Sequence, residues 1–190
     1  MGQISSSSDV DWTKYDGTPA IRSLRHMSFR CFDAEETREF YEDFLGLEFV
    51  AALPVEAEVN GKTVEAMHVY FQMADGDYIA FYDIPEDAPP PKFELDPMEL
   101  HLGMKVPSEA AMMTWAERLK ERGIRYIGPM DHDMVQSIYF QDPNGIWLEV
   151  TFQVPAHEEI MHREMAEAKE LIADWTVKSG PNKRKYREPA

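Results

Sequence analysis

The sequence has a single cysteine, Cys31, so it can form no internal disulfide. It has no run of about 20 apolar residues of the kind a membrane helix needs, and no apolar stretch near its start of the kind a secretory signal carries. A reducing, cytoplasmic setting without a membrane partner is the expectation. Positive charge is also scarce: 19 lysines and arginines stand against 35 aspartates and glutamates, a formal net charge of -16. Nucleic-acid binding needs a basic surface, and the one basic cluster is the tail Lys183-Arg184-Lys185 with Arg187, so nucleic acid is not an expected partner.

What is present is an ordinary globular composition, 44% hydrophobic over 190 residues, enough for one sizeable core or two small fused units. Residues 1–21 are polar and turn-rich, an arm with Trp12 and Tyr15 as its anchors. Leu24 to Phe32 alternates and predicts a strand, with His26, Ser28 and Arg30 on one face and Met27, Phe29 and Cys31 on the other. Asp33 caps a helix carrying Phe40, Tyr41, Phe44 and Leu45, which stops at Gly46. Three strands follow, at Glu48 to Leu53, Val64 to Met73 and Tyr78 to Ile84, separated by Asn60-Gly61 and Asp75-Gly76.

A proline-rich linker, 86–97, separates this βαβββ module (22–85) from a second (98–153) in which the order begins again. Leu100 to Val106 is a strand, Ser108 caps a helix that ends at Gly123, and Ile124 to Ile127 is a short strand. The last two strands flank Asp142-Pro143-Asn144-Gly145, a hairpin turn. Each module opens on a histidine, His26 or His101, so an internal duplication is the simplest account. The fold class is therefore α+β, two paired βαβββ modules forming a curled mixed sheet. Residues 154–190 add a long charged helix, Ala156 to Val177, with one apolar face, and the basic tail.

Glu149 sits in mid-strand on the face opposite Ile146, Leu148 and Val150. An unpaired buried carboxylate costs several kcal/mol or more, so such a residue is edge-exposed, ion-paired or bound to a metal. A strand histidine taken alone is more often a hydrogen-bonded core or edge residue. Together, His26 and His101 on the first strands of a duplicated frame and Glu149 on the last form a two-histidine, one-carboxylate set that leaves coordination positions open for catalysis.

In its paired modules, in FYEDFLGLEF, in the run from Gly128-Pro129 through SIYFQDPNG to Leu148-Glu149, and in His26, His101 and Glu149, the chain resembles the vicinal oxygen chelate superfamily over about residues 22–153. That superfamily includes glyoxalase I, fosfomycin-resistance proteins, bleomycin-resistance proteins and type I extradiol dioxygenases. The resemblance implies a sheet curled around a divalent metal held by His26, His101 and Glu149, binding two adjacent oxygens of a small substrate. Where glyoxalase I has a fourth ligand this chain has Ala80, or Asp83 if the register slips, which matches the three-ligand branches. Tyr139, ten residues before Glu149, matches a tyrosine that hydrogen-bonds substrate in extradiol enzymes.

The resemblance thus implies an Fe(II) dioxygenase that uses O2 to cleave a catechol-like ring. Such enzymes place an acid/base histidine before the second metal histidine, yet no histidine lies between Tyr78 and Leu100, which leaves His68 and His132 as the candidates. The alternatives are a non-redox isomerase, lyase or transferase using Mn, Ni or Zn, and a metal-free binding protein. A homodimer is the default assembly, and the apolar face of the last helix lies either over the sheet or against a second chain.

Overall fold

In a computed structural model, residues 24–85 and 92–184 are described. The N-terminal arm with Trp12 and Tyr15, residues 86–91 of the proline-rich linker, and Lys185 and Arg187 of the tail lie outside them. The chain divides into two compact units, one holding residues up to Glu94 together with Asp142–Gly145, the other Leu95–Gln141 and Ile146 onward.

Unit 1 is built from β1 (His26–Cys31), α1 (Ala34–Arg38) continued by a π-helical segment (Glu39–Phe44), β2 (Glu48–Val59), β3 (Lys62–Gln72) and β4 (Tyr78–Asp83). Asp33 caps α1 as expected, its carboxylate accepting from the Glu36 amide at 2.8 Å. The strands order as β1-β4-β3-β2, with β1 parallel to β4 and the remaining pairs antiparallel. Unit 2 repeats the plan. Its elements are β5 (His101–Lys105), α2 (Glu109–Glu121), β6 (Tyr126–Asp131), β7 (Val135–Gln141), β8 (Trp147–Gln153) and α3 (His157–Lys183), and its sheet order is β5-β8-β7-β6. The α+β class and the paired βαβββ modules are therefore as read from the sequence, with one four-stranded mixed sheet in each unit. No helix among the described residues is long and apolar enough to cross a membrane.

The two largest differences in strand extent, the longer β2 and β6, share one cause. Pro54 and Pro129 suggest strand ends, but both lie inside strands, Pro54 opposite Met67 on β2 and Pro129 in the irregular stretch of β6 between Ile127 and Met130. β2 and β6 are the edge strands of their sheets, where an N–H turned away from the neighbouring strand has no ladder bond to lose.

Strand alternation sends one face of each sheet to its helix. In unit 1, Tyr41 is fully buried and meets Phe71 and Phe81, ring centroids 5.3 and 4.8 Å away. In unit 2, Met112, Ala116 and Leu119 of α2 are buried along with Ile138, Phe140 and Leu148 of the sheet. The opposite faces carry the polar and titratable residues.

The Asp-Pro-Asn-Gly turn does more than join β7 to β8, since its side chains and backbone are built into unit 1. Asn144 accepts from the Phe32 amide at 3.0 Å and donates to Thr37 Oγ1 at 3.3 Å, while Asp142 accepts from the Tyr41 hydroxyl at 3.0 Å. Gly145 has φ +82°, and a Cβ there would stand 2.6 Å from the Phe93 carbonyl oxygen. Asn144→Ala strands the Phe32 amide, while the Thr37 hydroxyl keeps its own bond to the Asp33 carbonyl, so we expect a loss of about 1–3 kcal/mol in urea unfolding. An unchanged midpoint would remove Asn144 from this role.

Candidate metal and substrate site

The register of the two sheets shows the duplication position by position. In unit 1, His26 pairs with Tyr78 and Tyr70 with Ala80; in unit 2, His101 pairs with Trp147 and Tyr139 with Glu149. Ala80 thus takes the place in the sheet of unit 1 that Glu149 takes in the sheet of unit 2, and Tyr70 the place of Tyr139. Asp83, the alternative fourth ligand, pairs with Cys31 on the helix-facing side and accepts from the Ala34 amide at 3.0 Å, which occupies it in capping.

Four of the residues singled out in the sequence come together in unit 2. His101 Nε2 lies 3.1 Å from Glu149 Oε2. The other oxygen, Oε1, accepts from the Tyr139 hydroxyl at 2.8 Å, and Tyr139 is 3.0 Å from His132 Nε2. Burial, then the hydrogen bond to Glu149 and its charge, push the Tyr139 phenol up to about 12, so it remains a proton donor at neutral pH. Its one proton goes to the carboxylate, which can only accept. His132 therefore gives its Nε2–H to the phenol oxygen and aims the hydroxyl at Glu149. Gly103 pairs with Glu149, and a Cβ at that position would stand 3.1 Å from Oε2, so glycine leaves the room the carboxylate uses.

The second nitrogen of His101 decides what this pair suits. Nδ1 is 2.5 Å from the Pro97 carbonyl oxygen, an acceptor only, so it carries the ring proton. In a neutral imidazole, Nε2 then faces the Glu149 oxygen lone pair to lone pair. Only a cation between them, a proton or a metal ion, makes that contact favourable. A ring pinned by a backbone carbonyl and a carboxylate pinned by a phenol are how metal ligands are held, so the donor set fits a divalent ion. Among the described residues no three His, Cys, Asp and Glu side chains gather as a metal cluster.

The other two candidates share the polar face of the sheet in unit 1. His26 is exposed at the start of β1, and its ring meets the edge of Tyr70 at 6.2 Å. His68 is buried in β3, 5% exposed, and stacked on Tyr82 with centroids 3.6 Å apart. Its Nδ1 is 3.1 Å from the Tyr70 hydroxyl, and Nε2 is buried without a hydrogen-bond partner among the described residues. Burial, and secondly the nearby charge of His26, hold its pKa below the ordinary 6.5. Tyr70, Tyr78 and Tyr82 line the same face, with Arg25 over the Tyr78 ring. The sequence reading missed Tyr70 and the Pro97 carbonyl. The duplicated register points to Tyr70, whereas nothing in the sequence marks a backbone oxygen as a partner of His101.

Comparison with known proteins agrees with this architecture. The family model described as Glyoxalase/Bleomycin resistance protein/Dioxygenase superfamily matches residues 23–150. MhqA of Bacillus subtilis (strain 168), provisionally named a ring-cleaving dioxygenase, is 27% identical over 135 residues, 69% of this chain but 40% of that protein. This chain thus matches well under half the length of that relative. Among solved structures, a glyoxalase/dioxygenase from Nostoc punctiforme superposes with a TM-score of 0.52 at 24% identity, over 70% of this chain and 92% of that one. The fosfomycin resistance protein FosX of Listeria monocytogenes, in complex with Mn(II) and sulfate, gives 0.51 at 18% identity, over 73% and 98%. At these identities the structures speak for the fold alone.

Proposed function

Because this chain belongs to the glyoxalase, bleomycin resistance protein and dioxygenase superfamily, we propose that it is a metal-dependent enzyme of the extradiol type, acting on a small catechol-like aromatic with two adjacent oxygens. The observation that carries this reading is the His101–Glu149 pair, with Nε2 and Oε2 3.1 Å apart and the far end of each side chain fixed. His26, His101 and Glu149 would hold the ion, Fe(II) in this reading. The ion would supply Lewis acidity toward the substrate oxygens and redox access to O2. The similarity to MhqA supports ring cleavage as the chemistry.

The chain's own groups have separable tasks. Tyr139 holds Glu149 in its rotamer, and His132 holds the Tyr139 hydroxyl. His68 is the base for a phenolic proton. With Nδ1–H given to the Tyr70 oxygen, its buried Nε2 lone pair is left without a partner among the described residues, and its lowered pKa keeps the ring neutral at neutral pH. Tyr139→Phe is expected to retain metal and lower kcat about 10–100-fold, since an outer support of a ligand is lost rather than a ligand. Unchanged kinetics would remove Tyr139 from the mechanism.

One observation favours a second reading. No histidine lies between Tyr78 and Leu100, where extradiol enzymes place their acid/base residue, and a non-redox isomerase, lyase or transferase using Mn, Ni or Zn on the same residues has no need of one there. Oxygen uptake by protein reconstituted anaerobically with Fe(II) and mixed with a panel of catechols separates the two. Uptake matched to ring-fission absorbance, absent with Glu149→Gln, is the expected result. Stoichiometric metal without uptake across the panel would turn the assignment to the non-redox reading.

A further inference from the structure

α3 runs for 27 residues, about 40 Å at the usual rise, and none of them is buried. Its start is tied down among the described residues: His157 Nδ1 donates to the Met134 carbonyl at 2.9 Å, and Gln153 donates to His157 Nε2 at 2.9 Å. Beyond that it carries Met161, Met165, Ala168, Ile172, Trp175 and Ser179, spaced alternately four and three residues apart. That is the 3.5-residue repeat of a coiled-coil seam, narrower than the stripe by which a helix packs on a sheet. Met165, Ile172 and Trp175 are 68%, 61% and 50% exposed. Charge divides the helix along its length. Five carboxylates stand against two cations in residues 157–170, and three cations stand against one carboxylate in 171–184.

We propose that α3 pairs antiparallel with α3 of a second copy of this chain, making the protein a two-fold dimer independently of its metal chemistry. Antiparallel pairing sets the acidic half of each helix against the basic half of the other, and it also opposes the helix dipoles. The seam fits in a single register. Met165 meets the partner's Trp175, Ala168 meets the partner's Ile172, and Met161 meets the partner's Ser179, so in the last two layers a small side chain stands opposite a large one. Beside the seam the same register brings Glu164 to the partner's Lys178 and Leu171, 54% exposed, onto the two-fold axis against the partner's Leu171. A parallel pair would instead stack the acidic halves on each other.

Sedimentation of the full chain at micromolar concentration is expected to give a dimer. Ile172→Glu combined with Trp175→Glu should give a monomer with unchanged circular dichroism of the sheets, since neither side chain is buried within the chain. Leu171→Cys should form a disulfide-linked dimer under mild oxidation, against a background in which buried Cys31 stays unreacted. A monomeric wild type, the result if another segment of the same chain covers this face, overturns the proposal. So does a dimer that survives the double substitution. Efficient cross-linking through Ala168→Cys but not Leu171→Cys would mean a parallel pair and overturns it equally.

Discussion

Glu149→Gln is expected to lower divalent-metal affinity by on the order of 100-fold or more while leaving the fold intact. The amide keeps an oxygen to accept from Tyr139, and its NH2 group can donate to the His101 Nε2 lone pair that Pro97 leaves exposed. The metal-free variant should therefore be as stable as the wild type, because a contact that otherwise needs a cation becomes a neutral hydrogen bond. Metal content per chain after reconstitution and dialysis reads this directly. Wild-type content in the variant would remove Glu149 from the ligand set. Gly103→Ala tests the setting from another side, because its Cβ would press on Oε2 from 3.1 Å.

His68→Gln is expected to reduce kcat by about 10²–10⁴-fold with metal content retained, the range spanned by loss of a positioned acid/base group. His132→Gln should cost far less, since the ring acts through Tyr139 and its Nε2–H is already committed to the phenol oxygen. A full loss of activity in the His132 variant with little change in the His68 variant would exchange the two assignments. His68 also carries a stability signature. Its folded pKa lies below 6.5, so the unfolded chain binds a proton there more readily, and unfolding is favoured as pH falls below that value. The contribution is complete above about 6.5 and is lost toward the folded pKa. Replacing His68 with glutamine should flatten that part of the stability profile. If kcat is unchanged but the profile flattens, His68 is a core residue and not the base.

The paired modules, the caps at Asp33 and Ser108 and the stops at Gly46 and Gly123 were legible in the amino-acid sequence because each is a local device. A cap needs an oxygen three residues before an amide, and a glycine stop needs only a residue that tolerates positive φ, as Gly46 does at +80° and Gly123 at +75°. The alternation that puts His26, His101, Tyr139 and Glu149 on the faces turned away from the helices is equally local, following from the two-residue period of a strand. Whether a proline ends a strand is not local. Pro54 and Pro129 stay inside β2 and β6 because those strands lie at sheet edges, and strand order is decided by which distant segments pair. The same holds for the groups that give the site its chemistry. The Pro97 carbonyl accepts from His101 Nδ1, Tyr82 stacks on His68, and the Asn144 turn is built into a unit whose helix lies more than a hundred residues earlier. Sequence alone determined which side chains are available and which way each strand turns them. Tertiary structure decided which proton sits on which nitrogen, because that depends on acceptors brought together only by folding.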